Sequence, residues 1–323
     1  MKPTSLIAAV LATSIVAPGV ALAQDFPTKP IEWISPWSPG GGNDTLSRTI
    51  AAEITETLGQ PVVVENKPGA TGVIGTDYVA KSDPDGYTVT LGAPGTHATA
   101  AAMYPDLSYD PVTDFTPITL VGTIPNVLVV PKDLPVENVD ELIAYVQEHP
   151  NDVAFSSVGL GSMQHLSGEL FKETAGVDIL HVPYKGSAPA LTDLMAGRVQ
   201  LAFESLATVL PYVKSGDLKA LAVTTQDRSS LMPDVPTMAE EGLDGFDVTI
   251  WYAVFGPAGI AEDRVAVLNE AINGALQTAE VKERLAMMGA DVAGSTPEEL
   301  ATFQAAQTEK WTDFIKRHEI TRD

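Results

Sequence analysis

A short apolar run, a glycine turn and an amphipathic helix follow one another at residues 31–58, and this unit limits the fold more than any other stretch. Residues 31–34 read as a strand, and Leu46, Ile50, Ile54 and Leu58 recur four apart on one helix face. Between them stand Pro36-Trp37-Ser38-Pro39-Gly40-Gly41-Gly42-Asn43-Asp44. Asn43 and Asp44 are both good N-cap residues. A strand that turns through glycines into a helix start aims several backbone N–H groups at one point, and the helix dipole adds partial positive charge there. Such a turn suits an anion without any charged side chain, although many α/β proteins carry one and bind nothing.

The same unit recurs along the chain. Residues 61–65 are a predicted strand, followed by Asn66-Lys67-Pro68-Gly69-Ala70-Thr71-Gly72 and a helix over 73–81. After the turn Asp83-Pro84-Asp85-Gly86, a strand at 87–91 leads into Gly92-Ala93-Pro94-Gly95-Thr96-His97 and a short Ala-rich helix. Residues 104–118, rich in Pro and Asp, read as an irregular connection. A strand at 126–130 and a helix within 134–149 come next. The strand at 153–157 then opens through Val158-Gly159-Leu160-Gly161-Ser162-Met163-Gln164-His165 into a helix that runs to Phe171. Further strands are predicted at 179–182, 199–203, 218–224 and 248–255. Helices are predicted from 189 to 195, from 263 to about 289 and over 297–317. Alternating strands and helices define an α/β chain whose strand ends share an edge, where ligands of open α/β sheets bind. The paired glycine turns near residues 40 and 160 predict two lobes, residues 24–124 with 247–323 and residues 125–246, the C-terminal helices returning to the first.

The amino terminus is expected to be removed. Lys2 precedes an apolar run at 6–16 that is too short to span a bilayer, and Ala21-Leu22-Ala23 is an A-x-A cleavage site. This is a secretory signal peptide over residues 1–23. With no cysteine at the cleavage point, a lipid anchor there is excluded, and the mature chain is expected in the periplasm of a Gram-negative cell. The chain contains no cysteine at all, which removes thiol nucleophiles and thiolate metal sites. With 45% hydrophobic residues it can bury a sizeable core without disulfides. A net charge of −23 argues against nonspecific binding to nucleic acid or anionic lipid. It also means that any anion must be held by local donors, since screening confines longer-range repulsion to about 8 Å.

Enzyme motifs are missing. Gly159-x-Gly161 starts like a dinucleotide loop, but Gln164 stands where the third glycine belongs. No G-x-S-x-G elbow is present. The five histidines form no metal-binding spacing. Ser162 and His165, three apart at a helix start, do not by themselves make a triad.

In order and spacing, a set of motifs over the whole mature chain resembles the substrate-binding proteins of tripartite tricarboxylate transporters, the Bug or TctC family. They are Pro36-Trp37-Ser38-Pro39-Gly40-Gly41 with Asp44 and Arg48, Glu65-Asn66-Lys67-Pro68-Gly69-Ala70, Gly95-Thr96-His97, and Gly161-Ser162 with His165-Leu166. Gly168-Glu169-Leu170-Phe171, Val182-Pro183-Tyr184-Lys185-Gly186, Ala220-Leu221-Ala222-Val223-Thr224, Asp234-Val235-Pro236-Thr237 and Trp251 continue the series. The resemblance implies a two-lobed periplasmic binding protein, a Venus flytrap with a mainly parallel sheet in each lobe. It implies no cofactor, metal or catalysis. A monomer would bind a small carboxylate (a di- or tricarboxylate, an aromatic acid or an acidic amino acid) and hand it to a permease with a large and a small membrane subunit. Loops 36–45 and 157–165 would hold the carboxylate.

The candidate ligand-binding residues follow: Trp37, Ser38, Gly41, Asn43, Asp44, Thr96, His97, Ser157, Gly161, Ser162, His165, Tyr184 and Glu204. The hydroxyls of Ser38, Thr96, Ser157 and Ser162 can donate to a carboxylate, or equally cap turns and helices. Trp37 lies against the ligand or packs under its loop. His97 and His165 donate to a carboxylate or make buried structural hydrogen bonds. Tyr184 offers a hydroxyl at a lobe edge, and Asp44, which repels a carboxylate, caps the helix or holds a bridging water. Glu204 stands where the family often has Asp facing a ligand amine, and its extra length leaves that role open. A hydrolase acting on a small ester or amide, and a ligand sensor for a membrane kinase, remain the alternative functions.

Overall fold

The computed structural model describes residues 26–320; the expected leader at 1–23 lies outside them. The chain starts with β1 (Ile31–Ser35), α1 (Gly42–Leu58), β2 (Val62–Asn66), α2 (Val73–Ala80) and β3 (Thr88–Gly92), then two single-turn helices, α3 (Pro94–His97) and α4 (Ala100–Met103). The long strand β4 (Phe115–Pro131) follows. It leads to α5 (Val139–Glu148), β5 (Ala154–Ser157), α6 (Met163–Ala175), β6 (Leu180–Pro183), α7 (Ser187–Met195), β7 (Leu201–Ser205), α8 (Leu206–Ser215) and β8 (Leu218–Val223). The chain ends with β9 (Thr249–Pro257), α9 (Glu262–Ala275), α10 (Ala279–Met287), β10 (Asp291–Val292) and α11 (Pro297–Arg317).

β4 belongs to two sheets. Its residues up to Pro125 pair antiparallel with β9, and from Asn126 onward it pairs with β7 and β8. The first sheet runs β2-β1-β3-β9-β4 with β10 on β4, and the second continues from β4 through β7 and β5 to β6. Each contains one parallel trio, β2-β1-β3 and β7-β5-β6, extended by antiparallel strands. The result is a two-lobed α/β molecule. Crossing from one sheet to the other at Pro125 fits the residue, because proline has no N–H to give either ladder.

The predicted connection at 104–118 and strand at 126–130 are corrected by this element. The Pro and Asp content of 104–118 reads as irregular, yet the strand starts at Phe115 and absorbs Pro117 and Gly122 at two register shifts in its pairing with β9. The helix expected over 263–289 is two helices, broken at Thr278, whose hydroxyl caps α10 by accepting from the Val281 N–H. α8 and β10 carry no forecast; Pro211 inside α8 hides its helical period.

The helix faces pack as their spacing requires. Leu46, Ile50 and Ile54 of α1 are fully buried against Trp33 of β1 and against Leu268, Ile272 and Leu285 of α9 and α10. Each such side chain contributes about 1.5–3 kcal/mol of gross burial energy, so a charge at Ile50 would break this face. Val127 and Val129 of β4 bury under Leu194 of α7 and Val209 of α8. A third cluster joins Trp251, Phe255, Phe155, Phe203 and Trp311. α11 ends beside the second sheet's helices: Arg317 Nη1 donates to Glu173 Oε1 at 2.7 Å, and His318 Nε2 lies 2.7 Å from Glu173 Oε2.

Candidate functional site

A cavity of about 560 Å³ lies between the two halves of the chain. Val158, Gly159, Leu160, Gly161, Ser162, Met163 and Gln164, the turn from β5 into α6, form one wall. Thr71, Ala93, Pro94, Gly95, Thr99, Met103 and Tyr104, from the turns after β2 and β3, form the other, and Ile250 of β9 sits at the join. No charged side chain is among these lining residues. Polar attraction here must come from backbone N–H groups, amides and hydroxyls. The first turn of α6 supplies the strongest set, because a helix start leaves N–H groups unpaired within the helix.

The 157–165 loop is shaped by its own side chains. Ser162 is the N-cap of α6: its Oγ accepts from the His165 N–H at 3.2 Å and donates to the Gly159 carbonyl at 2.7 Å. The Gly161 N–H donates to His165 Nδ1 at 3.1 Å. That bond needs an unprotonated Nδ1, so the imidazole proton sits on Nε2, 3.7 Å from Glu169 Oε1. Burial alone would raise the Glu169 carboxyl, but the His165 contact and Lys172 bring it below the usual range. The His165 ring stacks on His181, 3.9 Å between centroids, and His181 stacks in turn on Phe155. Burial first, then the neighbouring His165, pushes His181 down to about 4. His181 Nε2 meets Ser157 Oγ at 2.6 Å, and Ser157 also ties the Gly159 backbone.

This geometry corrects two expectations, those for Ser157 and His165. Gly161 and Ser162 line the cavity. Ser157 and His165 do not; they are buried behind the loop and brace it. The Ser157–His181 pair is no exposed nucleophile, since Ser157 is only 1% exposed. Ser162 and His165 make no Ser–His side-chain pair, because the hydroxyl is directed to Gly159 and the ring to Gly161.

The 36–45 turn is built differently from the forecast. Gly41, not Asn43 or Asp44, is the N-cap of α1, and no side chain caps it. Asn43 is buried, with Nδ2 donating to the Leu91 carbonyl at 2.9 Å and Oδ1 accepting from Ser35 at 3.3 Å. Asp44 holds the turn: its carboxylate accepts from the Gly40 N–H at 2.8 Å, Asn66 Nδ2 at 2.7 Å and Arg48 Nε at 3.2 Å. Burial opposes ionisation there, but the Arg48, Gly40 and Asn66 donors keep the carboxyl below the usual range. Both side chains are engaged inside the turn, and neither lines the cavity. Ser38 and Gly41 are exposed on the turn but outside the cavity lining. Trp37 packs beside Gly72 and is outside the cavity lining: a β-carbon on Gly72 would lie 3.2 Å from its ring and 2.8 Å from the Thr96 methyl.

Of four other candidates, three are buried and Tyr184 is tied up near the surface. His97 is fully buried, stacked on Phe255 at 4.2 Å with its edge toward Phe115, and desolvation pushes it down to about 3. Thr96 is buried too, its hydroxyl shared between the Ala93 backbone and His97 Nδ1. The Tyr184 hydroxyl donates to Asp193 at 2.8 Å, so it offers the cavity no donor. Glu204 is 1% exposed and accepts from Ser187 Oγ at 3.0 Å. Burial raises its carboxyl, against the pull of Ser187, the Ser205 backbone and Gln164. Gln164 lines the cavity and Glu204 does not.

Thr71, Thr99, Met103, Tyr104, Gln164 and Ile250 were not among the sequence candidates. Thr71 had a signal, lying between Gly69 and Gly72, and it holds φ 56 in a left-handed turn unusual for a β-branched residue. The others are helix, strand and helix-flanking residues that reach the cavity only through the packing of the two halves.

A cavity between two α/β lobes, floored by helix starts, is the arrangement of a solute-binding receptor. The TctC description, "Tripartite tricarboxylate transporter family receptor", matches residues 46–320. BugT of Bordetella pertussis is 40% identical over 320 residues, 98% of each chain. The chain therefore belongs to the TctC, or Bug, family of tripartite tricarboxylate transporter receptors. An R. palustris protein solved with adipate is 39% identical, superposes with a TM-score of 0.76, and covers 92% of this chain and 100% of its own. MatC of Rhodopseudomonas palustris, with bound malate, is 36% identical with a TM-score of 0.72, covering 90% and 100%. Among the described residues no helix is long and apolar enough to cross a membrane.

Proposed function

We propose that this chain is an exported receptor for a small carboxylate, which it delivers to a tripartite tricarboxylate-type permease with a large and a small membrane subunit. The observation that carries this reading is the cavity between the halves, walled by the glycine turn that opens α6 and free of charged side chains. An anion there meets the positive end of a 13-residue helix and rigid backbone donors. The relatives solved with adipate and with malate support the same ligand class. In this reading the ligand is a di- or tricarboxylate, an aromatic acid or an acidic amino acid, and the lobes comprise residues 24–124 with 247–323 and residues 125–246. The carboxylate docks on one lobe and closure brings the other onto it. Closure is a population shift, so the ligand must bind the closed form more tightly than the open one. The leader at residues 1–23 would direct the chain out of the cytoplasm, where it acts as a monomer.

The test is a thermal-shift screen of residues 24–323, refolded from denaturant to strip bound ligand, against a panel of carboxylates. A ligand at one hundred times its Kd adds about 2.7 kcal/mol of stability, a clear rise in melting temperature. No shift with any carboxylate would sink the reading. Co-purification with the membrane subunits in the presence of the hit ligand tests the permease partner.

A further inference from the structure

We propose that the cavity selects carboxylates whose body is apolar, and that Leu160 is a specificity residue for them. The inference rests on the carboxylate-receptor reading above and narrows it.

The walls decide what can lie between the charged ends of a ligand. Met103 faces from the first half of the chain, Val158, Leu160 and Met163 from the second, and Ile250 from the join. Three of the four hydroxyls among the lining residues are engaged with backbone. Thr99 Oγ1 donates to the Pro94 carbonyl at 3.4 Å, the Tyr104 hydroxyl to the Ala70 carbonyl at 3.0 Å and Ser162 Oγ to the Gly159 carbonyl at 2.7 Å. Gln164 lies alongside the buried Glu204 carboxylate. A hydroxyl or an extra carboxylate on the body of a ligand would give up water and find few partners, and a site without partners rejects such a group.

Leu160 adds an independent observation. It is 45% exposed and sits in the cavity wall, on a loop whose neighbours are tied down by Ser157, Ser162 and His165. Its side chain has no core to enter. The surface it leaves in water is covered when a ligand with methylene or ring carbons lies against it, and that burial is favourable only for an apolar body.

The experiment compares adipate with a hydroxylated acid of the same chain length and with a tricarboxylate. Isothermal titration of refolded residues 24–323 measures adipate, its tetrahydroxy derivative galactarate, and citrate. Adipate should bind about ten-fold tighter than either, or more. Leu160→Asn, at an exposed position and expected to leave the melting temperature unchanged, should narrow the adipate-to-galactarate ratio by about three-fold or more. Galactarate or citrate binding as tightly as adipate would overturn the inference and leave the receptor intact. An unchanged ratio in Leu160→Asn would remove that residue from specificity. No binding of any acid would overturn this inference and the receptor reading together.

Discussion

The Met103 Cε lies 2.5 Å from the point where a β-carbon on Gly161 would stand. The first half of the chain and the α6 turn of the second can touch across the cavity at this point because Gly161 has no side chain. Its φ of +72 is a second reason for glycine, since L-residues lose about 1–2 kcal/mol in that conformation. Gly161→Ala should therefore strain the turn and push the flexible end of Met103 aside, weakening carboxylate binding by about ten-fold through the backbone strain. Adding Met103→Ala should recover little of the loss. Calorimetry of the single and double variants measures both, and equal affinity in Gly161→Ala and the parent would discard the strained turn as a constraint on binding.

Ser162 has one role visible in the structure, as the cap of α6. Ser162→Ala removes the acceptor of the His165 N–H and the donor to Gly159. Global stability should fall by about 1 kcal/mol, as for other lost caps, read from urea denaturation without ligand. Binding should weaken as well, through loosening of the loop. A variant that binds less well at unchanged stability would instead point to direct contact between the hydroxyl and the ligand.

Asp44 and Arg48 differ in what they hold. Asp44 is 3% exposed and collects three donors, whereas the Arg48 side chain is half exposed. Asp44→Ala should cost about 2–3 kcal/mol, because the Gly40 N–H and Arg48 lose their acceptor and Asn66 Nδ2 keeps only the Trp37 carbonyl. Arg48→Ala should cost about 1 kcal/mol or less, as solvent-exposed ion pairs do. Chemical denaturation ranks them, and the reverse order would contradict the assigned role of Asp44.

Acidification should act through His97. Its folded value, about 3, lies below the ordinary 6.5 because the ring is wholly buried among Phe115 and Phe255. As pH falls below 6.5 the unfolded chain takes up a proton that the folded chain refuses. The stability this group supplies at neutral pH is therefore lost progressively down to about pH 3. Between pH 7 and pH 5 the loss from His97 alone is about 2 kcal/mol. Urea unfolding at the two pH values, set against His97→Gln, isolates it; a parent and variant with the same pH dependence would show that the buried ring does not matter.

Much of the fold could be read before any coordinates. The four-residue spacing of Leu46, Ile50, Ile54 and Leu58 foretold α1 because a helix face must bury its apolar stripe. The glycine run at 159–161 foretold the turn into α6 because few other residues tolerate its backbone angles. Only residues 126–130 of β4 were readable, since its partner β9 alone supplies the register shifts that accommodate Pro117 and Gly122. The site was legible as loops and poorly legible as side chains. His97, Tyr184 and Glu204 are polar residues near helix starts, and nothing local distinguishes a ring that meets a ligand from one that meets Phe255.

The sequence alone determined the alternation of strands and helices, the glycine turns and the family, because these depend on local backbone preference and on residue order. Tertiary structure alone decided which turn faces the cavity. Placing Met103 against Gly161, and burying His97 while leaving Leu160 exposed, depend on how two sheets joined by one strand pack together, and that is a property of contacts far apart in the chain.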